Sequence, residues 1–327
     1  MHLPIRLVVI GAGKMAENFH LPAIKRYQSE NPGSLELVAV ADPVQERRRL
    51  FVEKFGLGDW YSDTTEMLRA VKPDAAYVLV PYRNVGPVSS EVLERGIHTF
   101  MEKPPGMVAT ETEHLAALAK RNHLITTVGF NRLHQPAVQE AKSWVDRTGA
   151  RLQLLSGCKH RVGRTNEEYA LYTSIHMLNL LLWFGGSVAH MRQWREPIPK
   201  TTAYNFVVML RFSSGALGVL TALPDLAFNR EVLELHTSAG TLVIDTQFGH
   251  KEVDNLTFSV YKGEVLAEEK KFSLVEDRLA TEGFYGQTKS FLDGIRGGLS
   301  PFPTVEDCRM TMILAEAMQK GRDWERE

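Results

Sequence analysis

A chain of 327 residues is longer than one compact core usually organises, so two domains are expected. Its 44% hydrophobic and 24% charged content is ordinary for a soluble globular protein, and a formal charge of −1 gives no pull toward nucleic acid or a membrane surface. No apolar run approaches the ~18–20 residues of a spanning helix. The first predicted strand begins at about Ile5, which leaves no room for a signal peptide before it. Cys158 and Cys308 stand far apart, and no His, Cys, Asp and Glu cluster has metal-site spacing. The expectation is a cytoplasmic protein in a reducing compartment, with no metal and no nucleic-acid or membrane partner.

The first ~125 residues alternate short apolar runs with amphipathic stretches, as βαβ units do. Predicted strands are IRLVVI, LELVAVAD, AAYVLVP, HTFMEK and LITTVGF, rich enough in Val, Ile and Leu to be covered by helices on both faces. Between them VQERRRLFVEKFG and ATETEHLAALAKRN have helical spacing, each with Gly or Asn near its end. After Phe130 the rhythm changes. A helix, QPAVQEAKSWVDRTG, leads into the strand ARLQLLSGCKHRV, and another helix is expected around residues 167 to 184.

Strands then dominate: AYNFVVMLRF, ALGVLTAL, EVLELHTS, TLVIDT, LTFSVYK and VLAEEKKF. Turns such as SSG, SAG and KG join several of them directly, which argues for an antiparallel sheet. Two helices close the chain, near 282–296 and 304–323, with GGLSPFP between them as a breaker. The second opens on Thr304 with Asp307 three residues on, like a capped start, and carries Met310, Ile313, Leu314 and Ala317 as an apolar stripe. The expected fold class is α/β: a doubly wound parallel sheet over residues 1–126, then an α+β domain with an open, mainly antiparallel sheet over residues 127–327. The closing helices are free to pack back on the first domain.

Gly11, Gly13 and Ala16 match G-x-G-x-x-A between a predicted strand and a predicted helix. Gly11 permits the tight turn, Gly13 lets backbone approach a pyrophosphate, and Ala16 allows close helix-to-strand packing. The anion would rest on N–H groups of the helix starting near Lys14. The second strand ends in Asp42, within the range expected for the ribose-binding acid of a dinucleotide site. A carboxylate there accepts from both ribose hydroxyls of NAD and repels a 2′-phosphate, so NAD is expected rather than NADP. Arg47, Arg48 and Arg49 follow closely; they either reach a phosphate or lie on the solvated face of a surface helix.

FMEKPPG places Glu102, Lys103 and Pro104 just beyond a parallel strand, at the sheet edge where ligands bind in open α/β folds. A lysine there is either a surface charge or a group that hydrogen-bonds a substrate hydroxyl and moves its proton. Proline after it restricts the chain direction.

With these residues in view, the chain resembles the glucose-fructose oxidoreductase, inositol dehydrogenase and rhizopine-catabolism family (Gfo/Idh/MocA). VIGAGKMAENFHLPAI, VAVADP, MEKPPG, VGFNRLHQPAV, IHMLNLLLWFGG and YGQTKSFLDGIRGGLSPFPTVEDC correspond to family segments in the same order, across essentially the whole chain. E-K-P followed by G-F-N-R is the specific element. The resemblance implies a Rossmann domain plus a sheet domain whose outer face forms a homodimer or homotetramer contact. It also implies hydride transfer between nicotinamide and a secondary hydroxyl of a sugar, cyclitol or sugar derivative. By position, Lys103 resembles the family's catalytic lysine, and His176 the histidine that polarises or protonates the reacting oxygen. Asn131 and Arg132 resemble the segment at the domain junction, or else pin a turn and stack on the sheet.

Three positions depart from the family pattern. Tyr172 stands four residues before His176 where many members carry Asp, Asn179 replaces a common Asp, and Val85 replaces a frequent His. Tyr172 either joins the acid/base work, its phenol (pKa near ~10) favoured as the anion by an ammonium such as Lys103, or only packs and binds substrate. A third reading is a non-catalytic NAD-binding regulator or sensor. Glu168 is too far from His176 to replace the lost aspartate (~12 Å along a helix).

In CKHRVGR, Lys159 and Arg161 share one strand face, with Arg164 shortly after. That face either looks on an acidic substrate or meets solvent. His236 and His250 are isolated and receive no role. The expected cofactor contacts are Gly11, Gly13, Lys14, Met15, Asp42, Pro81, Glu102 and Lys103. Around a small polyhydroxylated substrate the expected residues are Lys103, Asn131, Arg132, Lys159, Arg161, Tyr172 and His176, with Lys103, His176 and Tyr172 as the catalytic set.

Overall fold

The computed structural model describes residues 3–56, 58–166, 168–249 and 253–326. The chain divides into two units, Met1–Phe130 with Phe284–Arg309, and Asn131–Gly283 with Met310–Glu327. In the first unit the sheet ladder runs on past residue 126: Gly129 N donates to Met101 O at 2.8 Å. Among the described residues no helix is long and apolar enough to cross a membrane.

The first unit runs β1 (Ile5–Ile10), α1 (Leu21–Glu30), β2 (Leu35–Ala41), α2 (Gln45–Phe55), β3 (Asp59–Tyr61), α3 (Thr64–Val71), β4 (Ala75–Val78), α4 (Tyr82–Glu94), β5 (His98–Met101), α5 (Ala109–Arg121) and β6 (Thr126–Val128). The strands form one parallel sheet in the order β3-β2-β1-β4-β5-β6. Leu7, Val8 and Val9 of β1 are all buried, so neighbouring residues pointing to opposite faces both meet covering elements. Strand order reverses between β1 and β4, the switch point beyond whose carboxyl ends open α/β sheets take ligands. Helix ends follow local chemistry. Asp63 caps α3 by accepting from Glu66 N at 2.8 Å, and Gly56 ends α2 in the left-handed conformation.

The second unit begins with α6 (Pro136–Thr148) and β7 (Leu152–His160), then α7 (Ile175–Gly185), β8 (Val188–Pro197), β9 (Tyr204–Phe212), β10 (Leu217–Leu223), β11 (Arg230–Thr237), β12 (Gly240–Asp245), β13 (Asn255–Lys262), β14 (Val265–Ser273) and α8 (Arg278–Thr281). The chain then forms α9 (Phe284–Ile295) in the first unit, followed by α10 (Arg309–Lys320) and β15 (Trp324–Glu325). The nine-stranded sheet has the order β14-β13-β12-β11-β7-β10-β9-β8-β15. Every pair is antiparallel except β7 with β10. Helix α7 is buried along most of its length and lies on β7 where Gly157 leaves room. A Cβ there would meet Met177 Cγ at 2.6 Å.

Several expected boundaries move. The helix expected at 167–184 is a π-helical stretch, Ala170–Ser174, followed by α7, and residue 167 lies outside the described residues. The helix expected at 282–296 breaks at Gly283, whose φ of +84° and whose approach to Asn131 O (2.0 Å from an added Cβ) admit no side chain. Thr304 and Asp307 cap each other: Asp307 Oδ2 accepts from Thr304 N at 2.8 Å, and Thr304 Oγ1 accepts from Asp307 N at 3.3 Å. Turns follow that cap, and α10 starts only at Arg309. Its buried residues include Thr311, Met312, Leu314, Ala315 and Met318, so the expected stripe is rotated. Thr311 turns inward because its Oγ1 accepts from Asn179 Nδ2 at 3.0 Å.

Candidate active site

The turn after β1 is built by two glycines with opposite surroundings. Gly11 has φ +101°, and a Cβ on it would lie 2.5 Å from Leu79 O. Any side chain there collides with the end of β4. A Cβ on Gly13 meets nothing within 4 Å, so the backbone at this point is open to a ligand. Ala16 is buried at the start of a π-helical stretch, Ala16–His20, the kind of widened turn that gathers at functional sites. Lys14 is exposed and Met15 half-buried beside it.

Asp42 is buried at the end of β2 and holds two turns. Its Oδ2 accepts from Ala12 N at 2.9 Å and its Oδ1 from Val44 N at 2.8 Å. The three arginines divide. Arg47 Nη1 stands 3.9 Å from Asp42 Oδ2, and Arg49 is exposed and bridges Glu46 and Glu53. Arg48 is not on a solvated face: it is buried, donates to Asp42 O and stacks 4.9 Å over the Trp60 ring. Pro81 caps α4 at the carboxyl end of β4, and Val85 is fully buried in that helix, where it packs.

Beyond β5, Glu102 N continues the ladder by donating to Val78 O at 3.0 Å. Its side chain turns back: Oε1 lies 2.8 Å from His20 Nε2, and Oε2 accepts from Lys103 N at 3.2 Å. Sequence reasoning missed His20. The ring is fully buried and edge-on to Tyr77, Phe100 and Phe284, at centroid distances of 6.0, 5.2 and 5.4 Å. Burial works to raise the Glu102 carboxyl, but the His20 hydrogen bond and charge, with Lys103, outweigh it and hold the group below the usual carboxylate range. Lys103 is half-buried directly after this anchored carboxylate.

In the second unit the structure gathers Arg132, Lys159 and Arg161 around a residue that sequence reasoning missed, Glu231 of β11, and joins Asn131 and His176 to the group through Arg132. Arg132 Nε donates to Glu231 Oε1 at 2.9 Å, while Lys159 Nζ and Arg161 Nη2 both reach Glu231 Oε2. The alternative that Lys159 and Arg161 meet solvent is overturned: they are 1% and 9% exposed. Burial would raise the Glu231 carboxyl, yet the charges of Arg132, Lys159 and Arg161 hold it far below its ordinary value. Burial, with the Arg132 charge, pushes the Lys159 ammonium well below its own.

Arg132 Nη1 lies 2.9 Å from Asn131 Oδ1 and 3.2 Å from His176 Nε2. Arginine only donates, so Nε2 is the acceptor and a neutral His176 carries its proton on Nδ1. Asn131 Nδ2 donates to Glu282 O at 2.8 Å, and the Arg132 guanidinium lies 4.9 Å from the Phe248 ring centroid. Tyr172 is half-buried within the π-helical stretch, where the widened turn replaces the i, i+4 spacing expected of an α-helix. His236 sits 3.2 Å from Thr241 Oγ1, and His250 lies outside the described residues. Among the described residues no group of three His, Cys, Asp or Glu side chains is arranged to hold a metal.

Over residues 5–130 the chain matches the Gfo/Idh/MocA family model. The model describes an oxidoreductase family with an NAD-binding Rossmann fold. The turn of Gly11 and Gly13 and the Glu102-Lys103-Pro104 element both lie inside that match. D-Glucoside 3-dehydrogenase of Escherichia coli is 31% identical over 43% of this chain and 39% of its own length. scyllo-Inositol 2-dehydrogenase (NAD(+)) of Bacillus subtilis is 29% identical over 45% of this chain and 41% of its own. The matches to these curated relatives thus span about two fifths of the relatives' length. The fold extends further. A dehydrogenase from Chromobacterium violaceum superposes with a TM-score of 0.86 at 17% identity, covering 98% of this chain and 96% of that one.

Proposed function

We propose that this protein is an NAD-dependent oxidoreductase that transfers hydride between nicotinamide and a secondary hydroxyl of a sugar, cyclitol or sugar derivative. The observation that carries this reading is Lys103 at the carboxyl edge of the NAD-binding fold, immediately after a carboxylate anchored by a buried histidine. The dinucleotide, when bound, supplies the hydride acceptor. Gly11, Gly13, Lys14 and Met15 form its pyrophosphate cradle, Asp42 meets the ribose, and Pro81 and Glu102 shape the edge beside it. Asp42 favours NAD over NADP.

Oxidation of a secondary alcohol takes a hydride from carbon and a proton from oxygen. The roles assigned from the motifs are binding of the reacting hydroxyl and movement of its proton for Lys103, and polarisation of the reacting oxygen for His176. Arg132 fixes the His176 ring, and Tyr172 contributes substrate contact and helps in proton transfer. Lys103→Ala should lower kcat/KM for a turned-over polyol by ~10²-fold or more, followed as NADH formation at 340 nm. Near-wild-type turnover would remove the role. NADH binding with no turnover across polyols, uronates and sugar phosphates would establish the regulator reading instead.

The assembly proposed is a homodimer or homotetramer through the outer face of the nine-stranded sheet. Register aligns Trp194 with Val207 and Val207 with Thr221, and beside that row Met209 with Val219. Trp194, Val207 and Met209 are exposed, so these rows present apolar surface suited to a second copy.

A further inference from the structure

We infer that the cluster of Arg132, Lys159 and Arg161 around Glu231 seats an anionic group of the substrate, the carboxylate of a sugar acid or the phosphate of a sugar phosphate. This rests on the oxidoreductase reading and specifies its substrate class.

Three basic side chains converge on one carboxylate, and among the described residues the ion pairs of all three run to Glu231. A structural clamp needs one cation for one buried carboxylate. Further buried cations carry a desolvation penalty that Glu231 by itself does not offset. The donors are unevenly used. Arg132 commits Nε and Nη2 to Glu231 and Nη1 to Asn131 and His176, and Arg161 commits Nη1 to His160 O. Lys159 Nζ pairs with Glu231 Oε2, but an ammonium carries three donors, and no other acceptor among the described residues is shown for the remaining ones while the residue is only 1% exposed. An ammonium in that state is completed by an incoming acceptor.

The cluster is also placed for chemistry. Arg132 joins Glu231 to His176 through the two ends of one guanidinium, so an anion seated here lies close to the ring proposed to polarise the reacting oxygen. Strand alternation makes the arrangement one-sided: Lys159 and Arg161 turn inward, while Cys158 and His160 line a groove on the opposite face with Phe228 and Arg230.

The test uses the full chain and matched probes that differ only at C6: D-glucuronate, D-glucose 6-phosphate and D-glucose, with the corresponding galactose series. Binding is read by calorimetry with NADH present, and turnover at 340 nm with NAD. At least one anionic probe should bind about 10-fold or more tightly than its neutral parent, and the uronate and phosphate arms identify which group is taken. Lys159→Met or Arg161→Gln should bring that ratio toward one. Neutral parents binding as well as both anionic forms, no anionic probe binding at all, or a ratio untouched in a folded Lys159→Met protein would overturn the inference. Turnover of neutral sugars alone would sink it while leaving the oxidoreductase reading in place. Anion binding without any turnover would support the site and count against the enzyme.

Discussion

His20 Nε2 stands 2.8 Å from Glu102 Oε1, with the imidazole walled in by Tyr77, Phe100 and Phe284. A buried ring thus fixes the carboxylate next to Lys103 from behind. His20→Phe keeps the bulk but removes the donor, leaving a part-buried carboxylate oxygen unpaired, and should lower unfolding stability by about 1–3 kcal/mol. His20→Asn, which restores a donor, should recover part of that loss. Urea unfolding of the three proteins checks this; equal stabilities would show that the contact contributes nothing.

Acid should weaken the fold through depressed carboxyls. Glu102 and Glu231 both titrate below their ordinary range in the folded chain. Each therefore contributes stability that is fully present above the unfolded value near ~4.3 and is lost as pH falls toward the folded value. Unfolding free energy measured from pH 7 down to pH 3 should decline below about pH 5, and the decline should be shallower in Glu102→Gln. A flat profile would contradict the sign.

Glu231→Ala should be among the most damaging single changes, because it strips the carboxylate from three buried cations. A loss of about 3–5 kcal/mol is expected, read as a fall in urea midpoint or as insoluble expression. Wild-type stability would mean that the cations find other partners.

The two glycines of the opening turn should separate folding from binding. Gly11→Ala forces a Cβ to within 2.5 Å of Leu79 O at φ +101°, so melting temperature and NADH affinity should fall together. Gly13→Ala has open space within 4 Å and should melt normally while binding NADH roughly tenfold or more weakly. Thermal melts with and without NADH, alongside calorimetry, distinguish the two.

Trp194→Glu should test the sheet-face assembly. An exposed tryptophan in an apolar row contributes most when a second copy covers it. Light scattering after size exclusion should show the wild-type oligomer dissociating in the variant; a monomeric wild type would exclude the interface.

Legibility in the sequence followed burial. β1, β2 and β4 announce themselves because nearly every residue in them is apolar and enclosed. β3 and β8 went unread for the opposite reason: Asp59–Tyr61 is short and exposed, and Val188–Pro197 buries little besides Val188 and Met191. Lys103, His176 and the glycine turn carry local motifs and could be named in advance. Glu231 carries none. It lies far from Arg132 in the chain, and only the placement of β7 beside β11 brings it to Lys159. His20 was likewise hidden, since its meaning depends on a carboxylate at the end of a distant strand.

The return of Phe284–Arg309 to the first unit limits how modular that unit is. Phe291 and Leu292 belong to its core with Leu7, Val9 and Tyr27, and Tyr27 Oη donates to Asp293 Oδ1 at 2.7 Å. A ribosome therefore completes the nucleotide-binding unit only after residues up to Arg309 have emerged. A fragment ending at Phe130 would leave α1 with bare apolar surface and a tendency to aggregate. Recombining this half with a relative's requires transplanting two separate stretches of chain.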